Sequence, residues 1–458
     1  PSDNTVLPAS IYSGYQLATV DAQNNTVIGT NAGDSFSGTD AENNTLIGYN
    51  AGTAITTANN SVAIGRGALA AATTAGGNVA VGRNSLTANT TGTSNAAVGY
   101  YSLSANTTGS NNTAFGNQAL QVNTTGTQNT SVGYNSSKSL TTGGSNTALG
   151  QAALYSSTTS IYNTAIGHQA LYYNVTGNEN TAVGQNALIN NTASNNTAVG
   201  REALKQNTSG GSNTGVGRYA LKANTTATDN TAVGTAALLT NTTGSSNTAV
   251  GKGALDANTT ASYNTAVGEE SLSANTTGNS NVALGRSALV SNTTASYNIG
   301  IGYKALGVNT TGTRNVAVGY EAAQLGSTAS YVTAFGYGAL RGNTVDDNTA
   351  FGYAALYTNT SGARNTAVGS ESLDHNTTGN DNVAVGYDVL TANTTGLENT
   401  AIGSKALDAN TTGNYNSAVG SHALSGCTTG AHNTALGAYS MQVNTASNNT
   451  AVGYTALY

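Results

Sequence analysis

The sequence has few of the residues on which most globular and catalytic proteins depend. Only 7% of its 458 residues are charged, and it contains one cysteine, one methionine, two prolines and no tryptophan. A typical globular chain is about a quarter charged, so Asn, Thr, Ser and Gly must keep this chain soluble. Because Cys427 is the sole cysteine, neither an intrachain disulfide framework nor a cysteine-based zinc site can form.

Charge and hydropathy argue against two further classes of protein, those that bind nucleic acid and those that span a membrane. The net charge of −6 provides no basic footprint, so we expect no nucleic-acid partner. No apolar run approaches the ~20 residues that a membrane-spanning helix needs, and we expect no direct membrane span. The sequence starts at Pro1 without an initiator methionine or a signal peptide, which predicts a processed or partial product.

A 17-residue repeat accounts for nearly all of the sequence. A glycine preceded by an apolar residue recurs 26 times between Gly29 and Gly453, and 21 of the 25 intervals are 17 residues long. The unit is N-T-A-V-G-x-x-A-L-x-x-N-T-T-G-x-x, numbered here from 1 to 17. Three intervals are 16 residues long, and each lacks one residue between positions 9 and 17. Because deletions are tolerated in loops, we predict that this segment is an outer corner and that T-A-V-G is fixed in the ladder of strands.

The repeat predicts an all-β fold. Each unit has two short extended segments, T-A-V-G and A-L-x-x-N, and its breaks leave no helical apolar stripe. One unit buries too little apolar area to fold alone, so the copies must stack with each strand parallel to its equivalent in the next coil. We predict a parallel β-solenoid (β-roll) of about 26 coils over residues 24–458. Residues 1–23 are predicted to be a non-repetitive N-terminal cap or a coil-adding segment.

Two repeat positions are predicted to form the core. Position 4 is Val, Ile, Leu or Phe in all 26 copies, and position 9 is mostly Leu, so both are expected to face a dry interior. The residues assigned to this core ladder are Val81, Val98, Val233, Val250, Val267, Leu238, Leu255 and Leu272. Positions 3 and 4 point to opposite faces of a strand, so the other face is expected to pack on other chains or on a second strand layer. This favours a homo-oligomer.

Asparagine at positions 1 and 12 has two interpretations. The side chains form ladders between coils, which we favour for position 1, or they are exposed turn residues. At position 12 the asparagine heads Asn-x-Thr/Ser sequons, which are either unused by-products of the turn or N-glycosylation sites on exposed loops. The candidate sites are Asn89, Asn106, Asn123, Asn224, Asn241, Asn258, Asn275, Asn292, Asn309, Asn376, Asn393 and Asn410.

The sequence predicts an aromatic stripe on the surface and few candidate catalytic or metal-binding residues. Tyr303, Tyr320, Tyr337 and Tyr353 occupy position 6 of consecutive coils, where they bind sugars or another chain, or only cover the turn. The four histidines occupy four different repeat positions, and no hydrolase, phosphate-binding or metal motif occurs. We therefore predict a non-enzymatic protein without catalytic residues, cofactor or metal.

Threonine at position 2 raises ice binding as an alternative, because a flat array of hydroxyls at coil spacing suits that function. Position 2 shares its face with position 4, however, so these hydroxyls are predicted to turn inward.

Three tracts carry a family resemblance. S-V-A-I-G-R-G-A-L at 61–69, N-V-A-V-G-R-N-S-L at 78–86 and N-T-A-V-G-K-G-A-L at 247–255 resemble the head repeats of trimeric autotransporter adhesins, and are similar to repeats of bacteriophage tail-fibre shafts. The resemblance covers roughly residues 24–458. It implies a parallel β-roll, three chains wound about one axis, extracellular or cell-surface display, and adhesion to a surface or matrix.

Together these features predict an extracellular structural and adhesive fibre protein. A rigid β-solenoid rod would display a multivalent polar and tyrosine-bearing surface, with surface glycans or matrix as partners. The alternatives are a self-assembling head-to-tail filament subunit, a bacteriophage tail-fibre shaft and, less favoured, an ice-binding protein.

Overall fold

A computed structural model of the protein describes residues 19–37 and 39–457. They fall into two compact units, with the boundary after Ser209. Each unit is a stack of short β-strands, with one strand in each repeat. The described residues contain no helix, and hence none that is long and apolar enough to cross a membrane. The part of the predicted N-terminal cap before residue 19 lies outside the described residues.

The first unit contains an antiparallel edge strand followed by parallel strands. β1 pairs antiparallel with β2, so that Thr19 lies opposite Val27, and the later strands pair in parallel. The strands are β1 (Thr19–Val20), β2 (Thr26–Ile28), β3 (Thr45–Ile47), β4 (Val62–Ile64), β5 (Val79–Val81), β6 (Ala96–Val98), β7 (Thr113–Phe115), β8 (Thr130–Val132), β9 (Thr147–Leu149), β10 (Thr164–Ile166), β11 (Thr181–Val183) and β12 (Thr197–Val199).

The second unit is parallel throughout its described strands. Its strands are β13 (Thr214–Val216), β14 (Thr231–Val233), β15 (Thr248–Val250), β16 (Thr265–Val267), β17 (Val282–Leu284), β18 (Ile299–Ile301), β19 (Val316–Val318), β20 (Thr333–Phe335), β21 (Thr349–Phe351), β22 (Thr366–Val368), β23 (Val383–Val385), β24 (Thr400–Ile402), β25 (Ser417–Val419), β26 (Thr434–Leu436) and β27 (Thr450–Val452).

Within each unit, every repeat position lies beside the same position of the next coil. Val250 pairs with Val267, and the register holds across shortened repeats, where Thr181 pairs with Thr197. The missing residue is therefore absorbed outside the strand, as the sequence predicts. The predicted all-β parallel β-solenoid with a 17-residue repeat is confirmed.

The predicted second strand is instead a turn. Positions 6 to 11 have turn geometry, and the leucine at position 9 adopts a left-handed backbone, with φ 52° at Leu255. A left-handed L-residue costs about 1–2 kcal/mol, whereas burying a leucine contributes about 1.5–3 kcal/mol. The turn is therefore favourable because it directs Leu255 inward, and the Leu255 N–H still donates to the Ser271 carbonyl of the next coil at 3.0 Å.

The interior of the coil is lined by positions 3, 8 and 9. Ala249, Ala254 and Leu255 are fully buried, and so are the other two predicted core leucines, Leu238 and Leu272. This interior is thin. A Cβ added to Gly300 at position 3 would lie 3.2 Å from Leu289 Cγ, so position 3 has room for little more than alanine.

The prediction that position 4 faces the interior is wrong. Val233 and Val267 are 37% exposed, and Val81, Val98 and Val250 are also only partly buried. Each strand points Ala at position 3 into the narrow interior, and the alternation of side chains then turns positions 2 and 4 outward. The five valines of the predicted core ladder belong to the outer face.

The exceptions to the repeat obey the same limit on width. Ser137 replaces leucine at position 9, and its hydroxyl is paired at 2.7 Å with that of Ser131 at position 3; both side chains are buried. Gly52 also replaces that leucine, and the bulky Leu46 at position 3 occupies the freed space, since a Cβ on Gly52 would lie 2.9 Å from Leu46 Cδ2. Positions 3 and 9 therefore fill one shared volume.

The glycine at position 5 is required by the stacking. Gly251 has φ +141°, and a Cβ added there would lie 2.4 Å from the carbonyl oxygen of Gly268 in the next coil. Gly253, two residues later, also has a positive φ, but its Cβ would meet nothing closer than 3.9 Å. Ala236 and Ala354 hold the position of Gly253 in other coils.

We expect Gly251→Ala to destabilise the protein strongly and Gly253→Ala to do so weakly. The first change combines backbone strain of about 1–3 kcal/mol with a clash against backbone that cannot move without breaking the ladder. The second costs only the left-handed conformation, about 1 kcal/mol. Urea denaturation followed by circular dichroism measures both, and equal losses of unfolding free energy would contradict the close-approach explanation.

Candidate functional site

Asparagine side chains at position 12 form a buried ladder between coils. Asn258 Nδ2 donates to Asn241 Oδ1 at 2.7 Å, and Asn275 Nδ2 donates to Asn258 Oδ1 at 3.1 Å. Asn258 Nδ2 also donates to the Ala261 carbonyl of its own turn at 3.0 Å. All three asparagines are fully buried, so this ladder is part of the interior.

A second ladder runs along position 1. Asn230 Oδ1 accepts the backbone N–H of Asn247 at 3.0 Å, and Asn247 Nδ2 donates to the Ala261 carbonyl at 2.8 Å. That carbonyl therefore accepts from both ladders. Because hydrogen bonds in a buried network are expensive to leave unmade, the two ladders fix the register and the spacing of the coils.

N-glycosylation requires exposed sequons, but the asparagines of the position-12 sequons are buried. Their asparagines have no accessible surface, because Nδ2, the atom to which a glycan attaches, lies inside the ladder. The glycosylation assignment is therefore wrong for the folded protein at Asn89, Asn106, Asn123, Asn224, Asn241, Asn258, Asn275, Asn292, Asn309, Asn376, Asn393 and Asn410.

Interruptions of the position-12 ladder leave unpaired acceptors. The buried Oδ1 atoms of Asn123, Asn309 and Asn410 have no hydrogen-bond partner, and the next coil has Leu140, Gly326 or Cys427 in place of asparagine. Cys427 is itself buried, and burial raises the pKa of its thiol. Its place in the ladder makes it a structural thiol that is poorly suited to nucleophilic chemistry.

We expect Cys427→Asn to stabilise the protein, because its Nδ2 can donate to the unpaired Asn410 Oδ1. Restoring one buried hydrogen bond contributes about 1 kcal/mol. Cys427→Ala supplies no donor and serves as the control, which should be neutral or destabilising. Differential scanning calorimetry measures both, and an equal or larger gain for the alanine variant would contradict the ladder explanation.

The side chains at positions 2 and 4 of each strand point away from the interior, and together they are called here the outer face. Across the 26 repeats, position 2 is threonine in 18 and β-branched in 24, position 4 is always Val, Ile, Leu or Phe, and neither position is ever charged. On this face Phe335 and Phe351 stack with ring centroids 4.8 Å apart, as expected for equivalent residues of neighbouring parallel strands. The outer face is thus a threonine-rich row beside an apolar row.

The threonine hydroxyls of the outer face differ from those of the corner. At position 13 the hydroxyl donates to the next coil, as Thr259 Oγ1 does to the Thr276 carbonyl at 3.1 Å. No position-2 threonine within residues 19–37 or 39–457 makes a side-chain hydrogen bond to another described residue, so Thr231, Thr248 and Thr265 keep their hydroxyls for the solvent side. The prediction that these hydroxyls turn inward is therefore wrong, because position 4, whose face they share, lies outside the core.

The four tyrosines of the predicted stripe form one stack. The ring centroids of Tyr303 and Tyr320 are 5.1 Å apart, those of Tyr320 and Tyr337 5.0 Å, and those of Tyr337 and Tyr353 5.4 Å. The faces of the two central rings are covered by their neighbours. A sugar stacks on a free aromatic face, so these rings offer ligands mainly their edges and hydroxyls.

One open groove of the second unit is lined by acidic side chains. Glu371, Asp388, Asp408 and His375 border a space of about 470 Å³. Burial raises the pKa of Asp408, and the nearby Lys405 partly opposes this shift. In the described part of the chain, no group of three or more His, Cys, Asp or Glu side chains is placed to hold a metal ion.

Two aspartates of this unit should respond oppositely to neutralisation. Burial raises the pKa of Asp408, so its charge destabilises the fold at neutral pH, and this penalty fades as pH falls through the folded-state pKa. The hydrogen bond from Arg364 lowers the pKa of Asp381, so its contribution is present above the ordinary pKa and is lost as pH falls through the folded value.

We therefore expect Asp408→Asn to raise the melting temperature at pH 7 and Asp381→Asn to lower it. Arg364 contacts Asp381 through two hydrogen bonds of 2.7 Å, but the pair is exposed, so its effect is the smaller. Both differences from the wild type should shrink at about pH 3, below the ordinary aspartate pKa. Thermal melts at the two pH values test this, and shifts of the same sign at pH 7 would contradict it.

The outer face is the feature that sequence reasoning missed, although a signal was present. Position 3 is almost always a small residue, as a confined interior requires, whereas position 4 varies from Val to Phe, as a surface allows. The tolerance of different side-chain sizes at position 4 therefore indicates the outside of the coil.

No protein-family model matches the chain, and no curated protein matches it significantly.

Proposed function

We propose that this chain is a non-enzymatic, extracellular structural and adhesive fibre protein. In this role the stacked coils are a scaffold, and the outer face is the adhesive surface. One observation carries the proposal: the strands turn an uncharged row of threonines and a row of large apolar side chains toward solvent, while alanine and leucine fill the interior.

The interior supports a scaffold role because its groups are already used for stacking. Ala249 and Leu255 fill the space inside the coil, and Asn247 and Asn258 hydrogen-bond across and within coils. A ligand therefore meets the outside of the protein. Repetition of one surface unit lets many weak contacts act together, which is the basis of multivalent adhesion.

The outer face suits adhesion to uncharged surfaces. Exposed apolar rows commonly mark interaction sites, and here Ile166, Phe115 and Leu436 are each about two-fifths exposed. β-branched side chains have restricted rotamers, so little conformational entropy is lost when the face contacts a partner. The face also lacks charge, so its attachment should be insensitive to salt.

The same apolar row supports a second candidate partner, another copy of this chain. Large hydrophobic side chains in register favour packing between two sheets, which would give the homo-oligomer expected from the sequence. Self-association and adhesion compete for one surface. Light scattering coupled to size-exclusion chromatography distinguishes them, since only self-association changes the mass of the free protein.

We expect the triple variant Val233→Glu/Val250→Glu/Val267→Glu to lose adsorption to uncharged surfaces. Wild-type protein should adsorb to methyl- and hydroxyl-terminated monolayers, measured by quartz crystal microbalance, and should remain bound in high salt. Three carboxylates on the outer face must be dehydrated on contact, which is unfavourable without a partner.

The control carries the same added charge on other surfaces of the same coils. In Ala236→Glu/Ser246→Glu/Gly253→Glu, each glutamate enters a repeat position at which glutamate occurs naturally elsewhere, as in Glu179 and Glu270. Circular dichroism verifies the fold of both variants. Equal adsorption of the two triple variants would contradict the assignment of adhesion to the outer face.

A further inference from the structure

We infer that the outer face binds ordered water at the surface of ice. This inference rests on the proposed adhesive function and names its ligand. The part of the face that carries it is the regular stretch of four coils in which threonine is at position 2 and valine at position 4: Thr214 and Val216, Thr231 and Val233, Thr248 and Val250, and Thr265 and Val267.

The outer face of these coils is periodic in two directions. Neighbouring coils repeat at about 4.8 Å, and alternate residues of a strand are roughly 6.6 Å apart, so hydroxyls and methyl groups form a two-dimensional lattice. The pairs Thr231–Thr248 and Val233–Val250 lie in register without a slip. A crystalline ligand presents many equivalent sites at fixed intervals, and a repeating lattice can match it where an irregular surface cannot.

The hydroxyl groups of position 2 are available to water. The corner threonine Thr259 uses its hydroxyl within the protein, whereas Thr248 at position 2 makes no side-chain hydrogen bond within the described residues. Its hydroxyl is free to join a layer of ordered water, since water-mediated hydrogen bonds are nearly as good as direct ones. The adjacent methyl and isopropyl groups cannot hydrogen-bond, so they leave the bonds of that layer to water itself.

The outer face is both uncharged and rigid. A charged group holds its own hydration shell, which does not fit into ice, and neither position 2 nor position 4 is charged in any repeat. The buried ladders, such as Asn241–Asn258–Asn275, hold the coil spacing that the lattice requires. Thr and Val have few rotamers, so the face is preorganised and pays little entropy on binding.

Ice-affinity partitioning and thermal hysteresis test the inference on the full chain. Wild-type protein should be enriched in a slowly grown ice fraction, and it should lower the freezing point below the melting point. The variant Thr231→Tyr/Thr248→Tyr places two bulky rings on the regular lattice, and it should lose most of both activities.

The matched control is Ser246→Tyr/Ser280→Tyr, which adds the same two rings at position 17. Tyrosine occurs there naturally, as in Tyr263 and Tyr297, so the control should fold and keep wild-type activity. If the outer-face tyrosines unfold the protein, Val250→Glu is the second variant, and it should also abolish both activities while leaving the circular dichroism spectrum unchanged.

The outcomes separate this inference from the proposed adhesion. Exclusion of the wild type from ice, or equal activity of the outer-face and control variants, overturns ice binding. If adsorption to methyl-terminated monolayers persists in that case, the adhesive function still stands, whereas loss of adsorption overturns both. A stable oligomer that is excluded from ice would assign the outer face to a second copy of the chain.

Discussion

The width of the coil interior is the constraint on which the rest of the structure depends. Only one layer of side chains fits between the strand and the facing turn, so the alanine at position 3 and the leucine at position 9 share a single volume. This width excludes Val250 from the interior, although valine is the more hydrophobic neighbour of Ala249. It also makes the left-handed turn at Leu255 favourable, because no extended segment would direct that leucine into so narrow a space.

A thin interior supplies little apolar burial, so polar ladders perform part of the work that a larger core would do. The asparagines at positions 1 and 12 hydrogen-bond with equivalent residues of neighbouring coils, and both donate to the position-15 carbonyl. Such networks tolerate no shift of register, since a slip of one residue would leave buried amide groups unpaired. This explains how a chain with so few charged residues can still hold one register between neighbouring coils. Where the ladder is broken, as between Asn410 and Cys427, one acceptor is left unpaired, but the strands of the two coils stay in register, with Thr400 opposite Ser417.

The stacking of coils could be predicted from the sequence because it follows from periodicity, whereas the second strand predicted in each coil is a turn. Recurrence of Gly251 and its equivalents implies stacked coils, and the 16-residue intervals identify which segment is free to shorten. The orientation of each strand required a different kind of information. Both Ala249 and Val250 are apolar, so hydropathy cannot say which faces inward; the answer depends on the distance between the strand and Leu255, which arises only when the turn is built. The wrong orientation of position 4 led to a second wrong prediction, because position 2 shares its face. The threonines of position 2 were therefore predicted to point inward, and no function was assigned to the outer face. The sequence likewise could not show that the position-12 asparagines are buried, because Asn-Thr-Thr is compatible both with an exposed turn and with an interior ladder.

The composition of position 2 meets the demands of the strand and those of the proposed function together. Valine serves this strand position equally well, as Val282 and Val316 show, so the hydroxyl of Thr248 is not required for packing. Solubility would be met by any polar residue, including the asparagine and serine that are abundant elsewhere in the chain. At the same time, 24 of the 26 residues at position 2 are β-branched; strands favour such side chains, and their rotamers are restricted. A row that combines a free hydroxyl with a fixed position is what recognition of a regular surface demands. Threonine therefore suits both the strand and the solvent, and the register of the coils repeats its free hydroxyl at one fixed spacing along the outer face.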